Sequence, residues 1–276
     1  PVAPYPDRAR FEAREKVRGA AAYAADVRFD GLIYAMTVPA PAVRGRLTDL
    51  DTAAAMAIPG VVRVLTAADF PRDVEEGPFP GAARPTLRNE VSFRGEPVAL
   101  VVAETLEAAV EAAEAVRVTV EAEPFAVRID QDGAVREEAE GMHAGDAAEA
   151  RASAVTVIEA QYVSPTQHHN PIELLSTTAV WADGRLTIHE GSQNAGAIKA
   201  AVARSLGLDP AIIDVKSATV GGAFGQKGWT QRQTAIVAQA AILTGRPVKL
   251  VLPRAQIFHV ATHRPHIVHR VRMGAD

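Results

Sequence analysis

The run Val220-Gly221-Gly222-Ala223-Phe224-Gly225-Gln226-Lys227-Gly228 constrains this chain more than any other stretch. Its glycines leave backbone without Cβ cover, the condition for close approach of a ligand or of other main chain. Ahead of it, residues 212–219 read as a short strand. Behind it, residues 230–243 read as an apolar helix ended by Gly245, with Pro247 beyond. A strand, a bare turn and a helix start can offer N–H groups and a positive dipole end to a ligand. A tight turn with no ligand is the competing account.

Spacing excludes two nucleotide loops. A phosphate-binding loop needs Gly-Lys-Ser/Thr at its end, whereas Gly225-Gln226-Lys227-Gly228 displaces the lysine and lacks the hydroxyl. The dinucleotide fingerprint Gly-x-Gly-x-x-Gly fails on the spacing of Gly221, Gly222 and Gly225.

The rest of the chain supplies short strands and helices. Residues 31–38 alternate as a strand, and 51–56 suit a helix capped by Asp51 or Thr52. Residues 61–65 and 98–103 read as buried strands, and 71–90 as a surface loop. Leu106, Ala109, Val110, Ala113 and Val116 mark one face of a helix. From Glu104 to Glu149 acidic residues far outnumber basic ones, which indicates a solvated face running into a linker at 131–152. A strand at 154–161 follows. Then come the phrase Gln167-His168-His169-Asn170-Pro171-Ile172-Glu173 and two strands, 177–181 and 185–189, joined at Asp183-Gly184 as a hairpin. Gly191-Ser192-Gln193-Asn194 introduces a helix at 197–206, closed by Gly207.

Composition removes several functions. There are no cysteines, so this chain holds no thiolate-bound iron–sulfur cluster, disulfide or cysteine nucleophile. A net charge of −4 gives no electrostatic case for nucleic acid or a membrane surface. No apolar run is long enough to span a bilayer, and the first residues do not read as an export signal. His259, His263, His266 and His269 do not assemble a metal site: Arg264-Pro265 interrupts a helix there, and no carboxylate completes a set. No Gly-x-Ser-x-Gly supports serine hydrolysis.

The loop resembles the Gly-Gly-Gly-Phe-Gly-Gly-Lys segment of the molybdenum hydroxylases, the xanthine dehydrogenase/aldehyde oxidase family. Leu243-Thr244-Gly245-Arg246-Pro247-Val248-Lys249, Thr262-His263-Arg264-Pro265 and Met273-Gly274-Ala275-Asp276 follow in the family's order. Lys16-Val17-Arg18-Gly19 with Tyr23 and Asp26 resembles its opening phrase, and His169 to Glu173 its His-x-x-Met-Glu segment.

The resemblance implies an α+β chain. An a/b hammerhead domain with an N-terminal extension would occupy 1–130, and 131–152 would be a linker. The first part of a molybdenum-cofactor-binding α/β domain would occupy 153–276. It implies that Gln193, Asn194, Gly222, Phe224 and Gly225 contact a molybdenum–molybdopterin cofactor, in its plain or cytosine dinucleotide form. None of these is the general base, which in the family lies on a later segment. The function implied is hydroxylation of an aldehyde or N-heterocycle with water as oxygen source. Electrons would pass to iron–sulfur and FAD groups on partner chains, and the remaining part of the molybdenum-binding subunit would be a further chain. In xanthine-oxidising members an acidic residue follows the loop lysine; here it is Gly228, which argues against purines. Ala223 and Gln226 replace two family glycines. A cytoplasmic location is expected, or a periplasmic one where a partner carries the export signal. The alternative is a non-catalytic interaction or assembly subunit of the same fold.

Overall fold

The computed structural model describes residues 10, 12–71 and 86–276. The chain forms α1 (Ala13–Val17), β1 (Ile33–Pro39), β2 (Gly45–Asp51), α2 (Ala53–Met56), β3 (Val61–Leu65), β4 (Glu90–Val91), β5 (Pro97–Ala103), α3 (Leu106–Ala115) and β6 (Arg117–Ala122). Next come α4 (Ala147–Ser153), β7 (Thr156–Ser164), β8 (Gln167–His168), β9 (Ser176–Ala182), β10 (Arg185–Glu190) and α5 (Ala195–Leu206). The last elements are β11 (Ile213–Lys216), α6 (Arg232–Thr244), β12 (Val248–Val251), α7 (Arg254–Val260), β13 (His263–Arg264) and β14 (Ile267–Ala275). The mixture is α+β, with two units: residues up to 123 together with 169–261, and residues 124–168 together with 262–276.

In the first unit, seven strands form one sheet in the order β11-β10-β9-β12-β1-β5-β3. β1 runs parallel to β12, with Ile33 opposite Val248, and antiparallel to β5. This pairing ties an early strand to the strand just after α6. Every residue of β5 is buried, as its unbroken apolar sequence requires of a strand covered on both faces. Strand alternation sends Leu100 and Val102 to one core and Ala99, Val101 and Ala103 to the other. The first core is closed by α5 and α6 through Ile198, Val202, Ala235 and Ile236. The second is closed by α3 through Ala109, Ala112 and Ala113, whose small side chains let the helix approach closely. Each large aliphatic side chain buried there is worth roughly 1.5–3 kcal/mol, so a charge at Val101 would break this layer.

Local signals account for most element ends. Thr105 caps α3 by accepting the Ala108 N–H at 3.1 Å. Asp51 accepts the Ala53 N–H at 3.0 Å ahead of α2. Asp183 and Gly184 both take positive φ (51° and 70°), the two-residue hairpin turn that their types favour. Gly207 and Gly245 end α5 and α6 in the left-handed conformation.

Two sequence expectations differ from the structure. Leu106 is 42% exposed and Ala112 takes its place on the buried face of α3. β2 and β6 pair with each other as part of a three-stranded sheet, β4-β2-β6, where β6 falls in the stretch expected to be a solvated face. β6 (Arg-Val-Thr-Val-Glu-Ala) is mostly exposed, with Val118 and Val120 only partly covered, so the surrounding acidic stretch reports solvation while hiding the strand. The expected loop at 71–90 lies largely outside the described residues.

The second unit centres on a ribbon of β7 and β14, paired antiparallel from Ser164 opposite Ile267 to Thr156 opposite Ala275. β8 pairs with β13. α4 starts at Asp146, whose carboxylate accepts N–H groups of Ala148 and Glu149 at 3.0 and 2.8 Å.

Candidate functional site

β10 and β11 lie side by side and parallel, with Leu186 opposite Ile213 and His189 opposite Lys216. Their carboxyl ends therefore open on the same edge, the place where ligands enter open α/β sheets. Residues 191–194 leave β10 and the glycine-dense loop leaves β11. Ser217 stitches the two together: its Oγ accepts the Ser192 N–H at 2.8 Å and donates to the Ser192 carbonyl at 3.2 Å. The Gln193 N–H donates to the Lys227 carbonyl at 2.8 Å. The Gln193 Oε1 is also the nearest atom to the open side of Gly228, 4.0 Å from where a Cβ would stand.

A third segment, His169 to Glu173, closes the loop from the other side. Glu173 and Gly221 exchange two bonds: the Glu173 N–H donates to the Gly221 carbonyl at 3.2 Å, and Glu173 Oε2 accepts the Gly221 N–H at 2.7 Å. Lys227 donates to that same carboxylate oxygen, and the pair is buried, with side chains 1% and 7% exposed. A Cβ on Gly221 would lie 2.7 Å from the Glu173 Cβ, so only glycine fits there. A Cβ on Gly225 would stand 3.4 Å from the His169 ring.

Between these anchors the loop takes positive φ at Gly222 (101°), Phe224 (54°) and Gly225 (97°). For phenylalanine this conformation costs roughly 1–2 kcal/mol. Phe224 is nevertheless 73% exposed, so no core contact repays that cost. A core role, the ordinary reading of such an aromatic, is excluded. An exposed aromatic on strained backbone is a feature of sites that bind something.

Of the five residues expected at the site, Gln193, Gly222, Phe224 and Gly225 meet in one loop assembly. Asn194 adjoins it, but its side-chain oxygen caps α5 by accepting the Ala197 N–H at 3.1 Å. The expected helix start moves by two residues, from 230 to 232. A 3-10 turn, Gln226–Gly228, and residues 229–231 intervene before α6, so that helix does not begin at the loop. Within that turn Lys227 meets Glu173.

Sequence reasoning passed over the polar ground beneath the loop. Glu190 is buried at the end of β10, where its Oε2 accepts the hydroxyls of Thr177 and Thr234. Burial pushes its carboxyl up to about 7, against the opposing pull of the two hydroxyls and the Lys227 charge. Gln226 is 1% exposed and neither end of its amide meets a protein partner, an uncompensated cost carried by the turn. The only available sequence signal was opposite charges among apolar neighbours, and nothing in spacing links residues so far apart. Among the described residues, no group of three His, Cys, Asp or Glu is placed to hold a metal, and no helix is long and apolar enough to cross a membrane.

Comparison with known proteins specifies the class of α/β layer that carries this glycine loop and its cross-tied glutamine segment. Residues 131–276 match the model of the molybdopterin cofactor-binding domain. Residues 18–124 match the a/b hammerhead domain of aldehyde oxidase and xanthine dehydrogenase. The chain belongs to the molybdenum hydroxylase family of xanthine dehydrogenase and aldehyde oxidase. It is 32% identical to the aldehyde oxidoreductase molybdenum-binding subunit PaoC of Escherichia coli strain K12, over 97% of this chain and 37% of that protein. It is 31% identical to the nicotine 6-hydroxylase large subunit of Paenarthrobacter nicotinovorans, over 92% of this chain and 34% of the relative. Among solved structures, the aldehyde oxidoreductase of Desulfovibrio gigas superposes with a TM-score of 0.84 at 27% identity, covering 96% of this chain and 32% of the other. The chain thus spans about a third of the length of each of these three proteins.

Proposed function

We propose that this chain forms one wall of the molybdenum–molybdopterin pocket in a catalytic subunit that hydroxylates an aldehyde or N-heterocycle. The observation that carries the reading is Phe224, exposed and strained, on a loop cross-tied to Gln193 at the carboxyl ends of parallel strands. The residues fit the group. Gly222 and Gly225 take the positive φ that the turn needs, which makes glycine the favoured residue at both, with Pro171 and His169 packed against them. The Gln193 amide both donates and accepts without charge, which suits it to orient a polar ligand atom. Asn194 keeps its amide NH2 available for the same task while its oxygen caps α5. Phe224 excludes water from the reacting face.

When bound, the cofactor supplies a two-electron oxidation in which the added oxygen comes from water. This chain's own residues bind, orient and desolvate, and none is assigned as the general base. The cytosine dinucleotide form of the pterin is part of the proposal. So are iron–sulfur and FAD partner chains and a further chain or segment that completes the pocket. We infer a division into a hammerhead domain at 1–130, a linker at 131–152 and a cofactor-binding portion at 153–276. A cytoplasmic setting, or a periplasmic one with an exported partner, accords with it.

Substrate class follows from Gly228. The nearest atom to a Cβ there is the neutral Gln193 Oε1, so position 228 offers no carboxylate to hold a purine. An aldehyde or a non-purine ring is favoured.

Elemental analysis of the complex that contains this chain tests the reading. Molybdenum and pterin are expected together in the unaltered protein. Losing one hydrogen bond at Gln193→Ala should weaken cofactor retention about tenfold. Melting temperature should hold, because residue 193 is exposed. Partners present without molybdenum would leave an interaction or assembly subunit.

A further inference from the structure

Two buried charges tie the loop at both ends. Glu173 Oε2 takes the Gly221 N–H at 2.7 Å on one side of the strained turn and the Lys227 ammonium on the other. One oxygen thus bridges the residues that flank Gly222 to Gln226. Lys227 has a second tie, since its carbonyl accepts the Gln193 N–H at 2.8 Å. Beside the Ser217–Ser192 stitch, the spacing between Gln193 and Phe224 is therefore set through Lys227, which is itself fixed by Glu173.

A buried ion pair is a poor source of net stability, because desolvating both charges offsets their attraction. A well-packed apolar pair would serve stability as well, so stability alone does not account for this one. What an apolar pair cannot do is accept the Gly221 N–H or hold a left-handed phenylalanine in solvent.

We propose that Glu173 and Lys227 are a positioning pair, a clamp that fixes Phe224 and Gln193 relative to one another. Resting on the pocket reading given above, the proposal adds that the Gly221 N–H to Glu173 bond, more than the charge, sets the loop. Glu173 touches no substrate in this scheme; it acts through the loop.

Two double variants of the full chain, made in the complex it occurs in, separate charge from hydrogen bond. Glu173→Gln with Lys227→Met removes both charges and keeps an oxygen for Gly221. Glu173→Leu with Lys227→Met removes the charges and the acceptor together. Hydrogen exchange of the peptide carrying residues 221–225 is the readout, beside the global melting temperature. Exchange is expected to stay near the unaltered rate in the first variant and to rise about tenfold in the second, with melting unchanged in both. Unchanged exchange in the second variant would overturn the clamp. Exchange rising evenly along the whole chain as melting falls would also overturn it, because the pair would then hold the fold and not the loop. A first variant that loses protection as fully as the second would overturn the role given to the hydrogen bond. Amide exchange reads the clamp whether or not molybdenum is present, whereas metal content reads the pocket, so the two proposals fail separately.

Discussion

Glu190 shows how one buried residue couples the loop's foundation to pH. Its carboxyl rises from the ordinary 4.5 to about 7 because burial disfavours the anion more than Thr177 and Thr234 favour it. An acid with a raised folded-state value binds its proton more tightly in the native state. Stability from this group is full below about 4.5 and is lost as pH climbs to about 7. The whole effect is on the order of 3 kcal/mol. Glu190→Gln keeps an oxygen for both hydroxyls and cannot ionise. Melting temperature compared at pH 5 and pH 8 should fall with rising pH in the unaltered chain and change much less in the variant. An equal fall in both would assign the pH response to other groups.

Helices and strands near the site owe their ends to single residues, which local sequence displays. Gly245 ends α6 at φ 63°, donating its N–H to the Ala241 carbonyl at 2.9 Å, and a Cβ there would meet nothing within 4 Å. Gly245→Ala should therefore cost only the left-handed backbone penalty, about 1 kcal/mol, or a few degrees of melting temperature. A much larger loss would mean that the space beside Gly245 is not open. The hairpin at Asp183-Gly184 was legible for the same reason: the turn type is written in two adjacent residues. β2 and β6 were not. Their partners lie far along the chain, and their half-solvated residues carry little apolar signal. α6 starts at 232 and not at 230, at an end where Gln231 makes no side-chain cap that local sequence could display.

At the scale of the whole molecule, the β7–β14 ribbon exposes apolar side chains on both faces. Val157 and Val163 lie on one, and Ile158, Tyr162 and Met273 on the other, each 48–60% exposed. A two-stranded ribbon with uncovered apolar faces is marginal by itself and invites association. The chain purified alone should self-associate in a concentration-dependent way in sedimentation. Lysine at Ile158 and Val163 should shift it toward monomer. A compact monomer at all concentrations would remove the argument that these faces await other polypeptide.

The sequence by itself determined the family and the loop's conformation-permitting glycines. It also determined the hairpin, the helix stops and the apolar strand β5, because each is encoded by neighbouring residues or a short period. Only the tertiary structure decided that β1 joins the later strands in one sheet, and that Gln193 meets the loop through Lys227. It also decided that Phe224 stands in solvent under strain. Those facts depend on which distant groups share one dry space, and a buried carboxylate accepts from whichever donors the fold delivers to it.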